Sequence, residues 1–194
     1  MNKAATIEDV KAFAPDYVVY AVGASPIIVR VPGYNKPHIT TSIPVFMKER
    51  DVGNKVVIVG GGDVGCELAV DLCNQGKDVT IVEMLPDILS AVANFVANHQ
   101  NIKYLVYNSG AKIVANARLK EILDDAVIVD HNGVDEKIEC DDVIFAAGFK
   151  ASTDLYDEIV KEGYDCVRIG EGIRPPGKFI DAIHQAYHAI RVYE

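Results

Sequence analysis

Gly60, Gly62 and Gly65 stand at the spacing G-x-G-x-x-G inside Gly60-Gly61-Gly62-Asp63-Val64-Gly65. In such a set the first glycine permits a tight turn from strand to helix, and the second lets the backbone approach a pyrophosphate. The third lets the helix lie close against the strand. Free N–H groups at the start of that helix, helped by its dipole, then face two phosphates. Glu83 follows at an offset of roughly 20 residues, where a carboxylate accepts hydrogen bonds from an adenosine ribose. The chemistry implied is the holding of a dinucleotide. A ribose 2′-phosphate would meet a like charge at Glu83, and Met84-Leu85-Pro86-Asp87-Ile88-Leu89 adds a second acid and no base. NAD(H) is therefore expected in preference to NADP(H).

A glycine triplet alone also describes many ordinary turns, so the elements around it decide. Lys55-Val56-Val57-Ile58-Val59 is an apolar, β-branched run of the kind buried in a parallel sheet. Beyond the turn, Val64, Leu68 and Leu72 recur at helical spacing, with Gly65, Ala69 and Cys73 on the adjoining row. Glu67, Asp71 and Asn74 mark a polar side, and Gly76 supplies a stop. Val79-Thr80-Ile81-Val82 is a second strand, ending on the acid. Strand, turn, helix, strand and acid occur in the order the binding unit requires.

Further along, the spacing of Ile88, Val92, Phe95, Val96 and His99 predicts a short helix from near Asp87, and Ile102–Tyr107 reads as the next strand. Lys112–Leu123 is extended with partial alternation. Ala126–Asp130 and Glu136–Cys140 flank Asn132-Gly133, a strong hairpin signal. Val143-Ile144-Phe145-Ala146-Ala147-Gly148 then returns as a buried strand to the parallel sheet. The expected fold class is α/β: a Rossmann-like three-layer domain over 52–148, with a parallel sheet and an inserted antiparallel meander. Residues 1–51 and 149–194 flank it and echo one another, since Asp16-Tyr17-Val18-Val19-Tyr20-Ala21-Val22-Gly23 parallels Asp142-Val143-Ile144-Phe145-Ala146-Ala147-Gly148. At the carboxyl end a strand reaching Gly170-Glu171 precedes Pro175-Pro176-Gly177 and a helix with Ile180, Ile183, Tyr187 and Ile190 on one face.

Composition narrows the partners. Of 194 residues 49% are hydrophobic and 24% charged, which suits a globular chain able to bury a core. A net charge of −9 opposes binding to nucleic acid or to an anionic membrane surface. Uncharged stretches such as Tyr17–Val29 are too short to span a bilayer, and no secretory leader is apparent, so a cytoplasmic location is expected. Cys66, Cys73, Cys140 and Cys166 form no C-x-x-C and share no zinc-like spacing with histidines, so no metal site is expected.

With these segments in view the chain resembles the two-dinucleotide-binding-domain flavoproteins. More closely, it resembles the carboxyl-terminal region of the NADH:flavin oxidoreductase and 2,4-dienoyl-CoA reductase group. The segments that carry the resemblance are Asp16 to Pro26, Gly60 to Glu67, Ile81 to Asp87, Ile144 to Gly148 and Gly177 to Tyr187. It implies an NAD(P)H domain inserted into an FAD domain, with crossings at Gly23 and Gly148, and a half-domain of FAD type built from the flanks. It places Gly170 and Glu171 at the flavin ribitol, Glu171 standing where the group has Asp. It also brings Glu67 toward the nicotinamide end, and sets Met84 and Ala147 beside the bound nucleotide. The leading strand and glycine turn of that FAD domain are missing before Asp16, so the chain is read as a fragment, completed by upstream domains of the same polypeptide or by a partner chain.

The expected function is therefore transfer of hydride from NADH to FAD within a larger flavin-dependent oxidoreductase. No residue is singled out as a catalytic acid or base. The alternative is a non-catalytic NAD(H)-binding sensor or partner-docking module. An apolar face left open by the missing half-domain is a further reason to expect association, including with a second copy.

Overall fold

The computed structural model describes residues 3–90, 96–175 and 177–193. In chain order its elements are α1 (Ile7–Phe13), β1 (Val18–Tyr20), β2 (Ala24–Pro26), β3 (Ile39–Thr41), α2 (Ser42–Phe46), β4 (Lys55–Val59), α3 (Asp63–Asn74), β5 (Asp78–Val82) and α4 (Val96–Ser109). There follow β6 (Lys112–Val114), β7 (Ala117–Ile122), β8 (Ala126–His131), β9 (Val134–Glu139), β10 (Asp142–Phe145), β11 (Phe149–Ala151), α5 (Asp154–Lys161), β12 (Cys166–Arg168), a 3₁₀ turn at Gly170–Gly172 and α6 (Phe179–Tyr193). They fall into two compact units, Pro26–Gly148 and the flanks Met1–Ser25 with Phe149–Glu194. Residues 26–51 thus cluster with the glycine turn, because β3 pairs in parallel with β10.

The larger unit is built on a five-stranded parallel sheet in the order β3-β10-β4-β5-β6. Its central strands β10, β4 and β5 are buried on both faces, and the pleat sends alternate residues to different layers. Val56 and Ile58 of β4 join Leu68, Ala69 and Leu72 of α3 and Ile102 and Val106 of α4 in one core. Val57 and Val59 join Ala117, Leu119, Ile122, Val127 and Val129 of the meander β7-β8-β9 in the other. One strand thus cements three layers of helix, parallel sheet and antiparallel sheet. Leu68 is fully buried, and truncating such a side chain to alanine costs about 2–5 kcal/mol.

Local signals behave as physics requires. After α3, Lys77 N–H reaches the Leu72 carbonyl and Gly76 N–H the Cys73 carbonyl, the paired bonds of a Schellman stop. Asn132 (φ 54°) and Gly133 (φ 85°) both take the left-handed conformation that a tight hairpin between β8 and β9 demands.

One expected element is of the wrong type. Ile102–Tyr107 lies within helix α4, not a strand. Ile102 and Val106, four apart, point into the core while Tyr104, Leu105 and Tyr107 are exposed, so the governing period is helical despite the β-branched residues. The following strand is β6, reached through Gly110. Asp87–Ser90 form turns, not the start of a helix. Val92 and Phe95 lie outside the described residues.

In the flanking unit β1 and β12 form a two-stranded parallel sheet, Val18 opposite Cys166 and Tyr20 opposite Arg168. The Arg168 guanidinium sits 4.8 Å from the Tyr156 ring centre, and Tyr17 stacks on Tyr193 of α6. Ile180, Ile183, Tyr187 and Ile190 of α6 are all exposed, and Ala189 is the residue of that helix that is buried.

Candidate functional site

The glycine turn is the loop between β4 and α3, and its geometry follows from contacts that only glycine permits. Gly60 has φ 115°, and a Cβ there would lie 2.4 Å from the Ala146 carbonyl oxygen. A Cβ at Gly65 would lie 1.9 Å from the Gly60 carbonyl oxygen, so helix and strand close up as the third glycine requires. Gly62 differs. It caps α3 with ordinary backbone angles and no side-chain cap, and nothing lies within 4 Å of where its Cβ would be. The open direction is the one a ligand backbone would fill.

Cys66 N–H makes the first helical bond, to the Gly62 carbonyl. By helix geometry the N–H groups of Asp63, Val64 and Gly65 precede any intrahelical partner, and they gather at the positive end of the helix dipole. This is a cradle for an anion, and it fits the pyrophosphate of a dinucleotide.

Glu83, directly after β5, is 8% exposed. Its Oε2 accepts from Gly61 N–H at 2.6 Å and its Oε1 from Leu85 N–H at 2.8 Å. Gly61 carbonyl oxygen in turn accepts from Leu89 N–H at 2.7 Å and lies 3.4 Å from Cys66 Sγ. The Cys66 thiol is pushed up to about 12 by burial, with neighbouring acids adding to it, so it packs as a neutral group. Asp87, the second acid of this segment, is occupied: Lys103 Nζ and Tyr107 Oη of α4 donate to it at 2.6 and 2.9 Å. It fastens the loop to α4.

The structure thus gathers Gly60, Gly61, Gly62, Asp63, Val64, Gly65 and Glu83 around one turn, with Ala147 against Gly60. Met84 is exposed beside them and lines a depression of about 380 Å³ together with Asn116, Arg118, Asp130, Asn132 and Gly133. Glu67 is exposed on α3 and Gly148 follows β10. Gly23, Gly170 and Glu171 belong to the flanking unit. There Gly170 N–H donates to Gln185 Oε1 at 2.6 Å, and Glu171 Oε1 accepts from Gly177 N–H at 3.3 Å. Gly170 N–H and one oxygen of Glu171 thus have partners within this unit.

Two residues near the turn carried no sequence signal. His99 of α4 places Nε2 3.1 Å from Asp63 Oδ1. Arg118 is a base next to Met84 in space but not in sequence. Neither partner is visible without the fold, although the helical spacing that includes His99 was readable. Among the described residues no helix is long and apolar enough to cross a membrane.

Residues 2–172 match the family described as pyridine nucleotide-disulphide oxidoreductase. The chain is 36% identical over 160 residues to cinnamate reductase of Clostridium sporogenes, covering 82% of this chain and 24% of that protein. It is 31% identical over 192 residues to NADH oxidase of Thermoanaerobacter brockii, covering 94% of this chain and 29% of that protein. Among solved structures, a 2-naphthoyl-CoA reductase superposes with a TM-score of 0.85 at 30% identity, over 97% of this chain and 28% of that one. Histamine dehydrogenase from Rhizobium sp. 4-9, at 20% identity and a TM-score of 0.79, shares the fold. The chain therefore spans about a quarter to a third of the length of these proteins.

Proposed function

Because the chain belongs to the pyridine nucleotide-disulphide oxidoreductase family, whose members bind FAD and NAD(P)H, we propose that it is the NADH-binding region of a larger flavin-dependent oxidoreductase. The observation that carries this reading is the turn between β4 and α3, closed at Gly60 and Gly65 yet open at Gly62 above the N-terminus of α3. A dinucleotide held there would supply a hydride from its nicotinamide to the flavin of the complete enzyme. The chain's own part is to bind and orient. Gly62 and the N–H groups of Asp63 to Gly65 would hold the pyrophosphate, and Glu83 would present its remaining lone pairs to the adenosine ribose.

In this reading 26–148, the unit that includes β3, carries the nucleotide, while 1–25 and 149–194 contribute to an FAD domain completed by other sequence, with Gly23, Gly148, Gly170 and Glu171 at its margin. Similarity to two named reductases and an NADH oxidase supports a reductase assembly. The exposed apolar residues of α6 favour a second reading, a partner-docking module that binds NAD(H) without chemistry. Calorimetric titration with NADH and NADPH, followed by assay of NADH-driven reduction of added FAD, separates the two. Saturable NADH binding is expected. Its absence in a folded sample overturns the proposal, and binding without flavin reduction even in the full-length polypeptide favours docking.

A further inference from the structure

Asp63 is the first residue of α3 and the first side chain after the open glycine, so its charge stands at the mouth of the anion cradle. The helix dipole welcomes a carboxylate there. Two phosphates arriving at the same N–H groups, however, would meet a like charge. The fold supplies a countercharge from another element. His99 of α4 brings Nε2 to 3.1 Å from Asp63 Oδ1, and the His99 side chain is 13% exposed against 43% for Asp63. Asp63 Oδ1 itself is enclosed and, among the described residues, makes no hydrogen bond of good alignment. It is turned inward toward the imidazole, so the exposure of the side chain belongs to its outer part.

Resting on the dinucleotide reading above, we infer that His99 is a positioning residue for NADH: it holds the Asp63 carboxylate against α4 and, when protonated, cancels its charge, so that pyrophosphate binding draws a proton onto this pair. The surrounding ionisable groups are committed elsewhere. On α3, Glu67 is solvent-exposed and Cys66 is a neutral thiol. On α4, Lys103 and Tyr107 are taken by Asp87 of the preceding loop. Glu83 is bonded to Gly61 and Leu85. Imidazole is the side chain whose charge changes between about pH 5 and 8, and His99 is the histidine in contact with the cradle. His131, the other histidine in an acid contact, faces Glu136 across the β8–β9 hairpin.

The sign follows from linkage: a complex that favours the protonated imidazole tightens as pH falls and takes up protons on forming. A charge added at this end of α3, partly screened, corresponds to about 3- to 10-fold in affinity. The test is calorimetric titration of NADH near pH 6, 7 and 8 in buffers of differing ionisation enthalpy, on the wild type, His99→Gln and Asp63→Asn, with melting curves to establish folding. The wild type is expected to bind about 3- to 10-fold tighter near pH 6 than near pH 8 and to take up part of a proton near pH 7. A folded His99→Gln should show no pH step and no proton uptake, whatever its affinity near pH 8. Asp63→Asn removes the partner carboxylate of the imidazolium and should move the step toward lower pH. A wild type that binds NADH with a flat profile overturns this inference alone, as does a folded His99→Gln that keeps the step. A folded wild type that binds at no pH overturns the dinucleotide reading and this inference with it.

Discussion

Glu83 Oε2 lies 2.6 Å from the backbone nitrogen of Gly61, so a buried carboxylate at the end of β5 ties down the loop that follows β4. The residue expected to read a ribose is thus also a brace of the pyrophosphate turn, and its substitutions act on both.

For Glu83→Ala, the Gly61 N–H is left without its partner, which costs about 1–3 kcal/mol of stability and weakens NADH and NADPH alike. Glu83→Gln retains an amide oxygen for that N–H and removes the charge, at the smaller cost of setting its NH2 against the Leu85 N–H. The wild type is expected to prefer NADH roughly tenfold, and the glutamine variant to lose most of that preference while staying folded. Arginine at this position would bury a guanidinium against a donor, so it damages the turn and is not a clean reversal. Dissociation constants for both nucleotides at one ionic strength, beside urea unfolding, check this. An unaltered ratio in Glu83→Gln means that Arg118 or another group sets the preference.

The two glycines of the cradle separate binding from folding. Gly62→Val meets open space and an ordinary backbone, so the melting temperature should change little while NADH affinity falls about 100-fold or more, at least 2.7 kcal/mol. Gly65→Ala would force a methyl to 1.9 Å from the Gly60 carbonyl oxygen, and a loss of about 3 kcal/mol or more in stability is expected. Thermal melts paired with calorimetry decide. A Gly62→Val protein that binds as tightly as the wild type would place the nucleotide elsewhere.

Asp87 is held below the usual carboxylate range, first by the hydrogen bond from Lys103 and then by those from Tyr107 and Ile88 N–H, against the cost of burial. A depressed acid contributes stability that is complete above the ordinary carboxylate range and is lost as pH falls below it. With Asp87 40% exposed, solvent screening limits the effect to under about 1 kcal/mol. Asp87→Asn should therefore destabilise slightly at neutral pH, and its gap to the wild type should narrow as pH falls below the ordinary carboxylate range. Urea midpoints across that range provide the measurement, and an equal gap at both ends would refute the assignment.

Gly133 has space around its missing side chain but a φ of 85°, so Gly133→Ala isolates backbone strain. About 1–2 kcal/mol of lost stability is expected, and because Gly133 lines the depression beside Met84, the titration shows whether that strain reaches NADH binding. Melting curves and one titration suffice.

Much of this was legible because short-range rules agreed with one another. The run Val56–Val59, the helical spacing of Leu68 and Leu72, the stop at Gly76 and the turn at Asn132-Gly133 each had one consistent solution. The stretch from Asp87 to Tyr107 did not. There β-branched Ile102 and Val106 sit in a helix whose tertiary packing overrides their strand preference. The site divides in the same way. Glycine spacing shows the cradle, but the Glu83 to Gly61 bond and the His99 to Asp63 contact join elements that only the folded sheet brings together.

The strand order has a consequence for how the protein is made. β10 lies between β3 and β4, although it is the last strand of the unit to leave the ribosome. Until Asp142–Phe145 emerges, Ile39–Thr41 has no neighbour to pair with, and one edge of Val56–Val59 is open to any passing strand. Closure of the sheet therefore waits on a contact of long sequence separation, which makes folding slow and leaves the nascent chain prone to mispairing. A ribosome-stalled chain ending before Asp142 should engage holding chaperones, and one extended past Gly148 should release them.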